Sequence, residues 1–119
     1  MDRDYVIERY QTSDSQVPFT AWIESMKRKD PFVITRIFMR INRAIKGNFG
    51  DYRYLRHGVW EMKIDSGPGY RIYFAVENRQ ILLLLIGGSK KTQQRDILQA
   101  IKFLQDYQSK EIKGEPNRT

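Results

Sequence analysis

The chain has 119 residues, a length that fits one domain around one hydrophobic core and leaves too little for two. With no cysteine and a single histidine it excludes disulfide scaffolds, thiolate metal sites, cysteine nucleophiles and His-based zinc sites. Its 21 Lys and Arg against 14 Asp and Glu give a net charge of +7, which points to an anionic partner: nucleic acid, an acidic protein or a membrane surface.

The surplus is concentrated in residues 27–63, where basic residues far outnumber Asp30, Asp51 and Glu61. The first 26 residues are net acidic and do not fit a signal peptide. The longest apolar run, Ile81 to Ile86, is too short to span a bilayer, so the expected location is cytoplasmic, with no membrane partner. Tyr5 to Tyr10 reads as a first strand, and Ser13-Asp14-Ser15 as a loop that opens a helix. Phe19, Trp22, Ile23 and Met26 then recur at helical spacing, and Lys27-Arg28-Lys29 sits where the macrodipole favours cations. Asp30-Pro31 restarts the chain as an N-cap followed by proline. Ile34, Ile37, Phe38, Ile41 and Ile45 stripe a second helix, and Gly47-Asn48 ends it. The two make an antiparallel helical hairpin over residues 17–48. Arg36, Arg40, Arg43 and Lys46 share the helical period and read as a solvated face rather than a nucleic-acid groove.

Residues 49–58 read as a loop, with His57 a solvated turn residue rather than a general base. The period then changes to two. Trp60, Met62 and Ile64 alternate with Val59, Glu61 and Lys63; after a turn at 65–69, Tyr70, Ile72, Phe74 and Val76 alternate with Arg71, Tyr73 and Ala75. Ile81 to Ile86 is apolar throughout, the mark of a strand buried on both faces. Gly87-Gly88-Ser89 ends it, and Ile97, Ala100, Ile101 and Leu104 mark a last helix. The expected order is β-α-α-β-β-β-α, an α+β domain over residues 1–109 whose antiparallel sheet packs on the helical hairpin, followed by a polar, flexible tail at 110–119.

A loop of three or five residues centred on Gly67 sets Lys63 opposite Arg71 and Trp60 opposite Phe74. Like charges directly opposite each other cost stability, so the pair reads either as an anion site or as two solvated cations. Lys90-Lys91, at a strand end and before a helix N-terminus, reads either as a phosphate site or as a solvated charge pair. A two-residue turn at Asn78-Arg79 pairs Arg71 with Ile86 and draws Lys63, Arg71, Lys90 and Lys91 into one cluster. Trp60, Met62, Ile72, Phe74, Leu83 and Leu85 are expected to face the helical hairpin. Val59, Ala75, Leu82, Leu84 and Ile86, with Tyr73 as a sixth candidate, are expected on the other face, under the last helix and a partner. Most aromatics fall on core stripes; Tyr73 alone is expected on a polar face.

Three segments carry a resemblance. Leu55-Arg56-His57-Gly58-Val59-Trp60-Glu61-Met62-Lys63-Ile64 resembles the Leu-x-x-Gly-Leu-aromatic-Glu-Leu-basic strand of bacterial RelE/ParE-superfamily toxins. Gly69-Tyr70-Arg71-Ile72-Tyr73-Phe74 is similar to their Gly-x-Tyr-Arg-Ile strand. Leu82 to Gln93, with Lys90-Lys91-Thr92-Gln93, resembles the phage-related, HigB-like addiction-module branch. The resemblance covers roughly residues 5–105. It implies the toxin of a type II toxin–antitoxin system, neutralised by an antitoxin of helix-turn-helix type. It also implies metal-independent endoribonuclease chemistry on mRNA at the ribosome, with no cofactor. Lys63, Arg71, Lys90 and Lys91 match the family's basic positions. Arg71, Lys91 and Lys63 are then the expected catalytic set, and Lys63, Arg71, Tyr73, Lys90 and Lys91 the expected RNA contacts. The ParE side of the superfamily shares the fold but inhibits DNA gyrase, and an inactive RNA-binding domain is a third reading.

Overall fold

The structure, a computed structural model, describes residues 3–114. Its elements are β1 (Val6–Arg9), α1 (Pro18–Lys29), α2 (Pro31–Ile45), β2 (Tyr52–Arg56), β3 (Val59–Ile64), β4 (Tyr70–Glu77), β5 (Ile81–Ser89), a 3-10 turn (Lys90–Thr92) and α3 (Gln93–Gly114). The strands form one sheet in the order β1-β5-β4-β3-β2. The α1–α2 hairpin covers one face and α3 the other, so two cores flank the sheet. On the hairpin side Phe19, Ile23, Met26, Ile37 and Ile41 pack on Met62, Ile72, Phe74, Leu82 and Leu84. On the α3 side Ile97, Ala100, Ile101 and Leu104 pack on Val59, Tyr73, Ala75, Leu83 and Leu85. Covered on both faces, β5 has no position that water would favour for a polar side chain until Gly87, which accounts for its unbroken apolar run.

The β3–β4 register is the expected one, with Lys63 opposite Arg71 and Trp60 opposite Phe74. Other expectations are corrected. Residues 52–56 form a strand, not part of a loop, so the element order gains β2. This strand lies at the sheet edge with no side chain buried, and no apolar stripe announces it. The sheet is mixed rather than antiparallel, because β1 runs parallel to β5.

The β4–β5 turn holds three residues, 78–80, and pairs Glu77 with Ile81. That single extra residue inverts the expected faces of β5: Leu82 and Leu84 meet the hairpin, while Leu83 and Leu85 meet α3. The register slips again between Tyr73 and Phe74, leaving Leu85 as the bulged residue, and Arg71 comes to lie opposite Gly88 rather than Ile86. Tyr73 lies on the face away from the hairpin with Val59 and Ala75, but it is fully buried in the α3-side core rather than on a polar face open to RNA. The last helix also runs to Gly114, through the first part of the expected tail; Lys110 ties that end down through Asp106 at 2.9 Å and the Gln11 carbonyl at 3.3 Å. Residues 115–119, the rest of that expected tail, lie outside the described residues.

Candidate functional site

Gly87 and Gly88 end β5 on opposite faces of the sheet, and each lets a neighbour come close. A Cβ on Gly87 would collide with the Trp22 ring of α1, and one on Gly88 with the Asp96 carboxylate of α3. The first turns of α3 therefore lie tightly over the sheet where Arg71 faces Gly88. A buried polar cluster results. Glu61 is 3% exposed; its carboxylate accepts from Arg53 Nε at 2.9 Å and from Gln93 Nε2 at 2.8 Å. Arg71, 7% exposed, pairs with it at 3.5 Å. The Arg71 Nε and Nη1 and the Tyr73 hydroxyl are buried without a hydrogen-bond partner among the described residues. Leaving a buried donor unmade costs about 1–3 kcal/mol, so the cluster retains donors able to engage an anion.

The neighbouring groups are shifted in consistent directions. Burial raises the Tyr73 phenol well above its ordinary value; the negative charges of Glu61 and Asp96 add to that shift and Arg71 opposes it. Burial raises the Asp96 carboxyl as well, offset by the hydrogen bond donated from the Thr92 hydroxyl and by the charge of Arg95. Among the described residues no group of His, Asp and Glu is placed to hold a metal ion.

Lys90 and Lys91 are exposed where β5 gives way to the 3-10 turn, and the Lys90 N–H donates to the Gly69 carbonyl at 3.0 Å. They line an open cleft of about 880 Å³ between α1 and the start of α3, with Lys29 and Arg95 as further cations and Trp22 and Tyr70 as aromatic walls. Lys63 lies elsewhere. It is 44% exposed, its ammonium 3.8 Å from Asp65, in a second groove of about 310 Å³ that Arg36, Arg40 and Arg43 also line. The turn after β3 contributes Pro68 to the cleft and Asp65 to the groove.

The expected four-cation cluster is thus divided. Lys63 and Arg71 are opposite on the ladder, but Arg71 is drawn under α3 by Glu61, Lys63 turns to Asp65, and the lysine pair faces the cleft. The arginine row on α2 is not simply solvated either: Arg40 donates to the carbonyls of Lys63 at 2.6 Å and Phe49 at 3.1 Å. His57 is exposed in the β2–β3 turn with φ 54°. Sequence reasoning missed Arg53, Gln93 and Asp96 as partners of the buried cluster and Lys29 and Arg95 as cleft cations. The Arg53–Glu61 pairing follows from the β2–β3 register, and a two-residue spacing of Tyr52 and Tyr54 was its one signal.

Residues 21–102, from α1 into α3, match the family model described as phage derived protein Gp49-like (DUF891), and the chain belongs to that family. It is a toxin-like family of the kind found in plasmid and phage addiction modules. An uncharacterized protein of Haemophilus influenzae is 40% identical over 82 residues, which cover 69% of this chain and 81% of the relative.

Proposed function

We propose that this protein is the toxin of a type II toxin–antitoxin pair and acts as a metal-independent endoribonuclease on ribosome-bound mRNA. The observation that carries the reading is the buried Arg71 guanidinium, its Nη1 without a hydrogen-bond partner among the described residues and its Nε facing Glu61 at 3.5 Å, one strand away from the exposed Lys90–Lys91 pair. In this reaction a ribose 2′-oxygen attacks the adjacent phosphorus. The P–O2′ bond forms, the P–O5′ bond breaks, and the products are a 2′,3′-cyclic phosphate and a 5′-hydroxyl. Arg71 offers its unpaired Nη1 donor to the phosphorane, and its guanidinium keeps its charge there. Lys90 and Lys91 hold the neighbouring phosphate at the cleft mouth; the 2′-hydroxyl gives up its proton to water, and the Lys91 ammonium gives one to the departing 5′-oxygen. Lys63 takes a flanking phosphate from its own groove. Tyr73, enclosed beside Glu61, positions the cluster in place of contacting RNA. Because Arg71 is 7% exposed, this reading requires the first turn of α3, which holds Gln93 on Glu61, to lift before a phosphate reaches it.

The near-closure of Arg71 by Glu61 favours one second reading, a non-nuclease inhibitor of DNA gyrase that uses the same fold. Lys90→Ala/Lys91→Ala separates the two, since both side chains are exposed and their loss leaves the cores intact. Induced wild-type protein arrests growth and generates new mRNA 5′ ends. The double variant loses both by about a hundredfold or more, if the lysines act in the transition state. Arrest with intact mRNA and blocked supercoiling moves the protein to the gyrase class.

A further inference from the structure

On the sheet face under the hairpin, β2 lies beyond the reach of α2. Tyr52 pairs with Met62 and Tyr54 with Trp60, so both tyrosines point to that face, yet they are 46% and 52% exposed. Their rings form a strip. Tyr52 lies 5.2 Å from Phe49 and 5.7 Å from Trp60, and Tyr54 meets Trp60 edge-on at 5.0 Å. Exposed rings at an edge strand cost apolar hydration; the Tyr54 hydroxyl accepts from the Gly58 N–H at 3.0 Å, whereas among the described residues the Tyr52 ring has only its ring contacts to Phe49 and Trp60 to occupy it. Directly beside the strip is the groove lined by Arg36, Arg40, Arg43 and Lys63, joined to it through Asp51. Arg40 anchors the Phe49 carbonyl and so fixes the rings against the groove.

We infer that the Tyr52–Trp60–Tyr54 strip and the arginine groove beside it form a binding surface for single-stranded RNA, with bases stacked on the rings and phosphates in the groove. Stacked aromatic faces next to cations are the chemistry of sequence-tolerant single-strand binding, because every base has a π-face. An amphipathic protein helix needs an aliphatic trough, which flat phenol and indole faces do not make. This surface is separate from the Lys90–Lys91 cleft. The inference deepens the endoribonuclease reading by giving its substrate a second hold, and it rests on that reading only for the identity of the RNA as substrate.

The test is fluorescence anisotropy with purified protein and a labelled 2′-O-methyl oligoadenylate decamer, which cannot undergo 2′-oxygen attack, and an abasic decamer of equal charge. Tyr52→Ala weakens the adenylate about tenfold and leaves the abasic strand unaffected, as expected for loss of one stacked base. Tyr52→Phe keeps the ring and restores binding to within about twofold, while Arg36→Ala/Arg43→Ala weakens both strands and lowers the salt slope by about 1.4. Circular dichroism confirms that each variant is folded. Equal affinity of Tyr52→Ala and wild type for the adenylate overturns the inference. So does a Tyr52→Ala protein that loses its co-expressed antitoxin with RNA affinity unchanged, which makes the strip a protein interface. Ring-dependent binding by a protein that cleaves no mRNA sustains the inference and rejects the nuclease reading instead.

Discussion

Arg71 and Glu61 form a buried pair whose charges are only partly matched by hydrogen bonds. Arg53 and Gln93 occupy the carboxylate, and Arg71 stands at 3.5 Å. Removing one member of such a pair strands the other in a poorly solvated site. Because Arg53 and Gln93 still hold the Glu61 carboxylate, Arg71→Ala is expected to cost about 1–3 kcal/mol in urea unfolding, not to relieve repulsion from Lys63 as the bare register implies. Arg71→Ala/Glu61→Gln should recover part of the loss, and a double variant no more stable than the single one contradicts the pairing. Asp96 gives a pH test. Its carboxyl is raised above the ordinary 3.8 by burial, so the folded state holds the proton more tightly than the unfolded chain. Asp96 thus contributes most to stability below 3.8, and that contribution is lost as pH rises through the raised value. Asp96→Asn should unfold at higher urea than wild type at neutral pH, with the difference shrinking as the pH is lowered below 4. A difference that grows on acidification contradicts the assignment.

At the scale of elements, what was legible followed from parity and what was not followed from single residues in turns. Any odd loop around Gly67 gives the β3–β4 register, so Lys63 opposite Arg71 was readable without knowing the turn. The β4–β5 hairpin depended on whether its turn held two residues or three. Asn78 and Arg79 both adopt left-handed backbone, φ 53° and 58°, and Gln80 completes the loop. Nothing in a run of six leucines and isoleucines says which alternate set faces which layer, so the faces of β5 were inverted. β2 was overlooked because only Leu55 of its side chains is partly buried, and the spacing of Tyr52 and Tyr54 was its one signal. Of the site, the lysine pair at the strand end was legible as a cation site, and so was Glu61 as a partner for one of the facing cations; the burial of Arg71 with Glu61 was not, since it depends on β2 and α3 closing over it. Gly87 had no sequence rationale until Trp22 was seen against it. Gly87→Ala must push that indole aside and should lower stability by about 1–3 kcal/mol in thermal or urea unfolding. A fully tolerated alanine means α1 does not lie so close.

The whole molecule is a sheet between two helical layers, with its positive charge gathered into separate surfaces. The cleft at the start of α3 and the groove beside α2 are divided by the turn after β3, and the guanidinium between them is closed in by α3. The far half of α3 is secured to the first strand: Tyr107 bonds Glu8 at 3.3 Å, its phenol pushed up to about 12 by burial and by that carboxylate, and Tyr10 bonds Asp106. The helix start is held to the sheet by Gln93 on Glu61, and Thr92 bonds Asp96 within that turn. Membership of the Gp49-like family sets the protein among toxin-like chains, and the arrangement of cations supports an RNA substrate for it. The most direct test is the chemistry of the RNA ends left in a translating extract that contains excess chelator. The account predicts mRNA fragments with 5′-hydroxyl and 2′,3′-cyclic phosphate termini, produced by wild-type protein and absent with Lys90→Ala/Lys91→Ala. Intact mRNA under conditions that arrest growth, or fragments with 5′-phosphate ends that vanish when chelator is added, would contradict it.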